Sequence, residues 1–265
     1  MRYALVEYAE RKRVSAAQIK VFPSVPALQE AAADYVAGVL RLATPNNPIR
    51  IALSGGSTPR RMHALLAQMV GIDWRNVHIF FGDERTVGPD DPQSNYRMAH
   101  DTLLAHVPIP AANIHRMRGE DEPASAAATY SGELRESFGL HSTGLPVFDL
   151  IILGMGADGH TASLFPGTAA LEAHATLVVA NEVPQLNTWR ITLTYPVLNA
   201  ARRVLFLVAG ADKAEAVSHV FDPTHDDRPP AAFVQPSAGD LLWYVDATAA
   251  AGLPEGVKHD NDTPR

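Results

Sequence analysis

A glycine-rich segment at residues 153–167, LGMGADGHTASLFPG, places a carboxylate and an imidazole close together in the chain. Asp158 and His160 follow an apolar run that is typical of a buried strand. A neutral histidine can take a proton from water near neutral pH, and a neighbouring carboxylate can fix its tautomer or bind substrate hydroxyls. These residue types in this spacing indicate a hydrolytic centre in which His160 is the general base.

The same segment also has the spacing of a dinucleotide-binding turn, with G-x-G-x-x-G over residues 154–159. Glu182 stands at about the distance expected of the acid that binds a ribose hydroxyl in such sites. Pro166 and Gly167, however, allow the following helix barely more than one turn, which makes a poor seat for a pyrophosphate. A nicotinamide-dependent oxidoreductase is therefore the alternative, and saturable NAD(P) binding would support it.

A second turn that could bind a ligand follows the apolar run at 49–54. Its residues combine glycines with hydroxyl side chains and lead into a helix; they are Ser54, Gly55, Gly56, Ser57 and Thr58. Glycines let the backbone approach a ligand closely, and the free N–H groups of a helix N-terminus suit a phosphate. No lysine follows as in a Walker A loop, so a simple turn capped by Ser57 or Thr58 is the alternative interpretation.

Further charged residues stand near the ends of other predicted strands. The triplet Asp83-Glu84-Arg85 directly follows one strand, Lys213 opens a helix after another, and Arg190 begins a third. Taken singly, each is typical of a solvated charge or a local ion pair. Because ligands bind where the loops at the carboxyl ends of strands converge, these charges would join the 54–58 turn if the sheet order gathers them.

Alternating apolar runs and helical patterns predict the scaffold that positions these residues. Seven apolar runs predict strands, near 49–54, 76–82, 147–153, 176–180, 189–194, 203–209 and 241–245. Five helical patterns alternate with them, at 25–43, 59–70, 94–105, 124–138 and 212–221. Several strands are apolar at consecutive positions, as strands covered on both faces require. The prediction is a doubly wound, Rossmann-like α/β fold, with a mostly parallel sheet flanked by helices on both faces.

Composition limits the class of protein. The 265 residues include 22 Lys and Arg against 29 Asp and Glu, a net charge of −7, which argues against a nucleic acid or an anionic membrane as the main partner. There is no cysteine, and hence no disulfide, thiolate metal site or cysteine nucleophile. No HExxH motif or comparable cluster indicates a metal, and no G-x-S-x-G elbow indicates a serine nucleophile.

Length and patterning also limit the organisation of the chain. We expect one α/β domain over residues 1–255 and a polar, frayed tail at 256–265. The first residues lack the uninterrupted apolar region of a signal peptide, and no stretch approaches the roughly 20 apolar residues that span a bilayer. The expectation is a cytoplasmic protein, monomeric or weakly homodimeric, that acts on a small molecule without a cofactor or a metal.

Five segments of the chain form an ordered set over about residues 50–250. They are ALSGGSTPR, FFGDERTVGPDDPQSNYRMA, FDLIILGMGADGHTASLFPGT, RITLTYPVLNAARRVLFLVAGADKAEAV and PAAFVQPSAGDLLWYVDATAA. Each alone is weakly specific, but the five in order resemble the 6-phosphogluconolactonase family, within the larger group that includes glucosamine-6-phosphate deaminase/isomerases. The resemblance implies hydrolysis of 6-phospho-D-glucono-1,5-lactone to 6-phosphogluconate, the second step of the oxidative pentose phosphate pathway.

The resemblance also implies roles for individual residues. The expected phosphate-binding set is the turn from Ser54 to Thr58 with Arg190 and Lys213. His160 resembles the family's general base, and Asp83 and Arg85 resemble its substrate-facing polar residues. Either Arg85 or the backbone N–H groups of residues 154–159 would stabilise the oxyanion of a tetrahedral intermediate.

The related deaminase/isomerases provide a comparison within the same group. They look similar through G-x-G-x-D-G-H but continue to an Asn-Glu-Pro triplet, whose glutamate takes part in sugar ring opening. Here the triplet is Leu164-Phe165-Pro166. Phenylalanine cannot move a proton, so the isomerase alternative loses a group that it needs. A non-catalytic sugar-phosphate sensor is the other alternative, and tight binding of 6-phosphogluconate without turnover would favour it.

Overall fold

A computed structural model describes residues 17–141 and 143–254, and the tail expected at 256–265 lies outside the described residues. The strands are β1 (Gln18–Phe22), β2 (Ile49–Leu53), β3 (Val77–Phe81), β4 (Asp83–Arg85), β5 (Leu150–Leu153), β6 (Val178–Val183), β7 (Thr188–Leu193), β8 (Arg203–Val208) and β9 (Asp240–Asp246). Six of them form a parallel sheet of order β1-β9-β8-β5-β2-β3. The predicted doubly wound, mostly parallel α/β sheet is confirmed.

Helices cover both faces of the parallel sheet. They are α1 (Val25–Leu40), α2 (Ser57–Leu66), α3 (Asn95–Thr102), α4 (Pro123–Ser137), α5 (Tyr195–Asn199) and α6 (Ala214–Phe221). In β5, Leu150 and Ile152 belong to the core shared with α1, α2 and α3, while Ile151 and Leu153 belong to the core shared with α4, α5 and α6. All four are fully buried, because side chains alternate across a strand whose two faces are both covered.

A second, three-stranded sheet of order β4-β7-β6 is antiparallel. Gly82 joins the two sheets: its N–H donates to the carbonyl of Leu53 at 2.9 Å, and its carbonyl accepts from the N–H of Leu193 at 2.9 Å. The strands predicted at 176–180 and 189–194 therefore exist, but they form a hairpin in this separate sheet. The apolar pattern alone did not predict the separation.

Several element boundaries differ from the predictions. Helix α2 begins at Ser57 rather than at Pro59, so Pro59 lies in the first turn but is not its first residue. Ser94 caps α3 as predicted, since its hydroxyl accepts from the N–H of Arg97 at 3.1 Å. Strands β1 and β4 and helix α5 were not predicted. Among the described residues, strand β1 pairs only with β9, and most of its own residues are exposed, which leaves little apolar pattern to detect.

The parallel order places the ends of four neighbouring strands at one edge of the sheet. The segments that follow β2, β3, β5 and β8 all emerge there. Residues 154–168 after β5 form turns rather than a helix, so this segment lacks the helix N-terminus on which a dinucleotide pyrophosphate would rest. In the described part of the chain, no helix is long and apolar enough to cross a bilayer.

Candidate active site

The turns after these four strands line one cavity of about 230 Å³. Its walls also include the start of α3; the lining residues are Ser54 to Pro59, Asp83, Arg85, Asn95, Gly154 to Gly156, His160, Ala162, Leu207, Ala209 and Lys213. The structure thus brings together the three turns that the sequence singled out. Lys213 joins them, whereas Arg190 is not part of this wall.

His160 and Asp158 form a tight hydrogen-bonded pair within the glycine-rich turn. Nδ1 of His160 lies 2.6 Å from Oδ1 of Asp158, and the His160 N–H donates to the same oxygen at 3.1 Å. Partial burial acts to raise the pKa of Asp158, but the hydrogen bonds and charge of His160 outweigh it and hold that pKa below its ordinary value. The ionised carboxylate fixes the proton on Nδ1, which leaves Nε2 as the acceptor that a general base needs.

The local backbone leaves room for this pair and keeps it accessible. A Cβ atom at residue 156 would collide with the ring of His160, so Gly156 is required where it stands. The Gly156 N–H donates to the carbonyl of His160 at 2.8 Å, which closes the turn. The His160 side chain keeps 28% of its surface exposed, so water and substrate can reach the ring.

Phe165 supports the other side of the imidazole. Its ring stacks on that of His160, with 4.0 Å between the centroids and 24° between the planes. Phe165 itself is only 6% exposed, so the contact has a buried and rigid base. The contact was not anticipated from the sequence, where Phe165 was considered only as the replacement for a glutamate.

Asp83 lies at the cavity wall with both carboxylate oxygens hydrogen-bonded. Oδ2 accepts from the hydroxyl of Ser163 at 2.7 Å, and Oδ1 accepts from the side-chain amide of Asn95 at 3.2 Å. The same amide donates to the Asp83 carbonyl at 2.9 Å. Asp83 is therefore held as a hydrogen-bond acceptor whose remaining lone pairs are available to a ligand.

Glu84 is a buried carboxylate that sequence reasoning did not assign. It accepts four hydrogen bonds, all of 2.7 to 3.0 Å; the donors are the N–H groups of Arg85, Asn95 and Tyr96 and the hydroxyl of Ser94. Burial raises its pKa, although those N–H groups act in the opposite direction. Glu84 ties β4 to the start of α3 and so positions Asn95. The only signal in the sequence is the strand alternation that turns Glu84 away from Asp83.

The turn after β2 has the features of an anion-binding site, which we call the anion seat. Gly56 precedes α2 with a φ of 101°, a left-handed conformation that favours glycine, and no side chain caps the helix. Ser57 and Thr58 are the first residues of α2 rather than its cap, so the alternative in which one of them caps the helix is wrong. Both residues line the cavity, and the N–H groups at this end of the helix carry a positive partial charge.

Lys213 is the ammonium group at this seat. It ends the short helical turn Ala211–Lys213 that follows β8, and it forms an ion pair of 3.0 Å with Asp212. The hydrogen bond from Lys213, followed by its charge, lowers the pKa of Asp212. Asp212 is largely exposed, whereas the Lys213 side chain is mostly covered and lies in the cavity wall. A cation and a helix N-terminus thus meet at one place.

Arg190 lies in an adjoining cavity of about 390 Å³. Its walls include His160, Asp158, Asp83 and Arg85, together with residues of the β6–β7 hairpin. His160, Asp83 and Arg85 line both cavities, so the imidazole stands where the two meet. The expectation that Arg190 holds a phosphate stays a prediction.

Comparison with known proteins identifies the class. Residues 23–243 match the family model described as glucosamine-6-phosphate isomerases/6-phosphogluconolactonase, and the chain belongs to this family. It is 42% identical over 238 residues to a 6-phosphogluconolactonase of Nostoc sp., covering 89% of this chain and 98% of that protein. A 6-phosphogluconolactonase of Synechocystis sp. is 46% identical over 206 residues, with 77% and 84% covered.

Solved structures agree with the sequence comparison. The 6-phosphogluconolactonase from Trypanosoma cruzi superposes with a TM-score of 0.81 at 29% identity, covering 92% of this chain and 99% of that one. The two proteins therefore share the fold across most of the length of both chains.

Proposed function

We propose that the protein hydrolyses 6-phospho-D-glucono-1,5-lactone to 6-phospho-D-gluconate in the oxidative pentose phosphate pathway. The observation that carries the proposal is that His160, which is paired with Asp158, lines the same small cavity as the anion seat of Ser57, Thr58 and Lys213. A phosphate ester and a lactone carbonyl at opposite ends of one sugar match these two groups. The names of the relatives support the same reaction.

The reaction needs one base that later acts as an acid. Nε2 of His160 takes a proton from a water molecule as its oxygen attacks C1, and the carbonyl electrons move onto the carbonyl oxygen. The resulting imidazolium, stabilised by the Asp158 carboxylate, gives its proton to the ring oxygen as the bond from C1 to that oxygen breaks. The new carboxylic acid then releases a proton to solvent. The water oxygen thus remains on C1, one of its protons ends on the former ring oxygen, and the other goes to solvent.

The phosphate end supplies orientation. Lys213 and the N–H groups at the start of α2 bind the 6-phosphate, which fixes the sugar so that C1 lies next to His160. Asp83, already held by Ser163 and Asn95, accepts hydrogen bonds from substrate hydroxyls. Because phosphate binding is much the same in the ground state and the transition state, loss of Lys213 is expected chiefly to raise KM.

The site favours hydrolysis over the isomerase chemistry found in the same family. Phe165 stands where the deaminase/isomerase pattern has a glutamate, and its ring packs on His160 instead of exchanging protons. We further propose that the enzyme works in the cytoplasm as a monomer or weak homodimer on a freely diffusing sugar phosphate. The net charge of −7 is consistent with a small-molecule substrate rather than a nucleic acid.

The decisive experiment is lactone hydrolysis measured above its spontaneous background. Freshly generated 6-phosphogluconolactone should be hydrolysed far faster than the unphosphorylated lactone. His160→Gln should lower kcat by about 10²- to 10⁴-fold while 6-phosphogluconate still binds. Binding of 6-phosphogluconate by the wild type without any turnover would instead make the protein a sensor. Near-normal turnover by His160→Gln would remove His160 from the role of base.

A further inference from the structure

The β6–β7 hairpin ends in a turn whose backbone is closely defined. The two strands pair over six residues each, so residues 184–187 alone form the turn. Pro184 opens a short helical turn, the N–H of Asn187 donates to the carbonyl of Pro184 at 3.0 Å, and Asn187 has a φ of 45°. Proline fixes its own φ, and asparagine is one of the few residues that adopt the left-handed region readily. Gln185 and Leu186 are therefore carried by a preorganised turn.

This turn reaches the reactive centre. Gln185 and Leu186 line the cavity of about 390 Å³ whose walls also include His160 and Asp83. Asp83 is only 7% exposed, whereas Gln185 is exposed and Leu186 keeps 52% of its surface exposed. Asp83 therefore lies deep in the cavity, and the turn lies at its mouth. A ligand that fills this cavity contacts Asp83 at the base and the turn at the entrance.

Gln185 differs from every other polar side chain in this cavity wall. The others already form hydrogen bonds within the protein; they are Asp83, Arg85, Asp158, His160, Ser163 and Arg190. Within residues 17–141 and 143–254, the side-chain amide of Gln185 forms none. A glutamine amide has two N–H donors and one acceptor oxygen, so its whole hydrogen-bonding capacity is available to a ligand.

The hydroxyls of a sugar ring need such a partner. A hydroxyl is one donor and also has two acceptor lone pairs. When it donates to Asp83, its lone pairs still require a donor once the ring has displaced water from the cavity. Ser163 does not supply that donor, because its hydroxyl already donates to Asp83 at 2.7 Å. The amide of Gln185 is neutral and both donates and accepts, which suits a hydroxyl, whereas a phosphate is bound best by cations.

We infer that Gln185 binds a ring hydroxyl of the lactone and so contributes to the choice among sugar lactones. This inference rests on the proposed function. The 1,5-lactone has free hydroxyls on C2, C3 and C4, because C1 and C5 close the ring and C6 carries the phosphate. Asp83 and Gln185 hold these hydroxyls from the base and the entrance of the cavity. A sugar in which the contacted hydroxyl is missing loses this hydrogen bond and binds more weakly.

Deoxy derivatives of the product identify the contact. In calorimetry, Gln185→Ala should bind 6-phosphogluconate about 3- to 10-fold more weakly than the wild type, as expected for the loss of one hydrogen bond between neutral groups. Among the 2-, 3- and 4-deoxy derivatives, the one that lacks the contacted hydroxyl should bind both proteins equally, and the other two should keep the difference. In lactone hydrolysis, KM should rise by a similar factor, and kcat should change by less than about twofold.

Matched controls separate this contact from other effects. Gln68→Ala makes the same change at an exposed glutamine outside both cavity walls, so it should leave every affinity unchanged. Gln185→Glu replaces the amide donors by a negative charge, so it should weaken these anionic ligands more than Gln185→Ala does. Inorganic phosphate should bind the wild type and Gln185→Ala with the same affinity. Their thermal midpoints should also agree, because the side chain is exposed and its amide has no partner in the described part of the chain.

Three results would overturn the inference. Unchanged affinity for 6-phosphogluconate in Gln185→Ala would mean that the amide makes no contact, and an equal loss for all three deoxy derivatives would mean that no ring hydroxyl is involved. Weaker binding of inorganic phosphate by Gln185→Ala would assign the amide to the phosphate. The proposed function fails separately, if the wild type does not accelerate lactone hydrolysis. Hydrolysis by the wild type with the same KM in Gln185→Ala would reject only the role of Gln185.

Discussion

The imidazole of His160 lies between a carboxylate on its edge and an aromatic ring on its face. Asp158 bonds Nδ1 at 2.6 Å, and the Phe165 ring lies 4.0 Å from the imidazole, centroid to centroid. The hydrogen bond fixes the rotation of the ring about its own normal, and the stack fixes its plane. Together they leave His160 little freedom other than to present Nε2 to the cavity.

Phe165→Leu removes the stack while keeping an apolar side chain. Aromatic pairs contribute about 0.5–1.5 kcal/mol beyond the area that they bury, so we expect kcat to fall roughly 3- to 10-fold with little change in KM. Phe165→Tyr keeps the ring and is the matched control. Steady-state kinetics on both variants tests the prediction, and an unchanged kcat in Phe165→Leu would show that the stack does not orient the base.

Gly156→Ala tests the space around the catalytic pair. The added methyl group would lie 2.5 Å from Oδ1 of Asp158 and would overlap the ring of His160, so the pair must shift. We expect kcat to fall at least 10-fold, since small displacements of a catalytic group are costly. Gly154→Ala is the control, because its methyl group would meet only Ser54 Oγ, at 3.8 Å. Similar kinetics for the two variants would contradict the prediction.

Asp158→Asn keeps the shape of the side chain but removes its charge. Loss of the carboxylate that fixes the tautomer of a catalytic histidine can cost about 10⁴ in kcat at a buried site. The Asp158 side chain is 45% exposed, so we expect a smaller loss, on the order of 100-fold. A kcat within a factor of three of the wild type would mean that Asp158 does not set the state of His160.

We also expect Asp158→Asn to change how the stability of the fold depends on pH. The folded pKa of Asp158 lies below its ordinary value of 3.8, so its charged form stabilises the fold. That contribution is fully present above about pH 3.8 and is lost as the pH falls through the lower folded value. Thermal midpoints of wild type and Asp158→Asn should therefore differ at pH 6 and converge in stronger acid.

We expect a second pH dependence of stability from His63, because burial disfavours its charged form. It is fully buried in α2, neither ring nitrogen has a hydrogen-bond partner among the described residues, and burial lowers its pKa from 6.5 to about 4. Between pH 4 and pH 6.5, His63 is therefore protonated in the unfolded chain but not in the folded chain. Stability is therefore complete above about pH 6.5 and falls by up to about 3 kcal/mol as the pH approaches 4.

His63→Leu removes this titration and an unsatisfied polar ring at similar volume. Its unfolding free energy should exceed that of the wild type, with the excess growing between pH 6.5 and pH 4. His174→Leu is the control, since that side chain is 67% exposed. Denaturant unfolding at several pH values measures the difference. A constant difference over this range would show that His63 does not titrate as its burial implies.

The strongest parts of the fold could be predicted from local pattern. The β5 run LIIL is apolar at every position because both of its faces are covered, and such a run needs no long-range information to be recognised. Strand β4 is the opposite case. It is three charged residues, and it is a strand only because it pairs with β7, more than 100 positions further along the chain. No local signal carries that pairing.

The candidate site divides in the same way. The glycines, Asp158, His160 and Lys213 were found because they directly follow predicted strands, and such turns meet at one edge of a parallel sheet. Glu84 was not assigned, since its value lies in contacts to the start of α3 that only the folded chain makes. The position of Arg190 was equally hidden, because it depends on the register between β4 and β7.

The junction at Gly82 joins the large sheet, whose turns carry the proposed phosphate seat, to the small antiparallel sheet. Lys213 and the start of α2 follow strands of the large sheet, whereas Arg85 and Arg190 lie in strands of the small one. The residues proposed to bind the phosphate and the residues near the reacting carbon can therefore diverge independently during evolution. Changes confined to the turn after β5 and to the small sheet would be enough to exchange one reaction for another, while the groups proposed to bind the phosphate stay unchanged. A family whose two named activities share a 6-phosphate but not a reaction is the outcome that such a layout would produce.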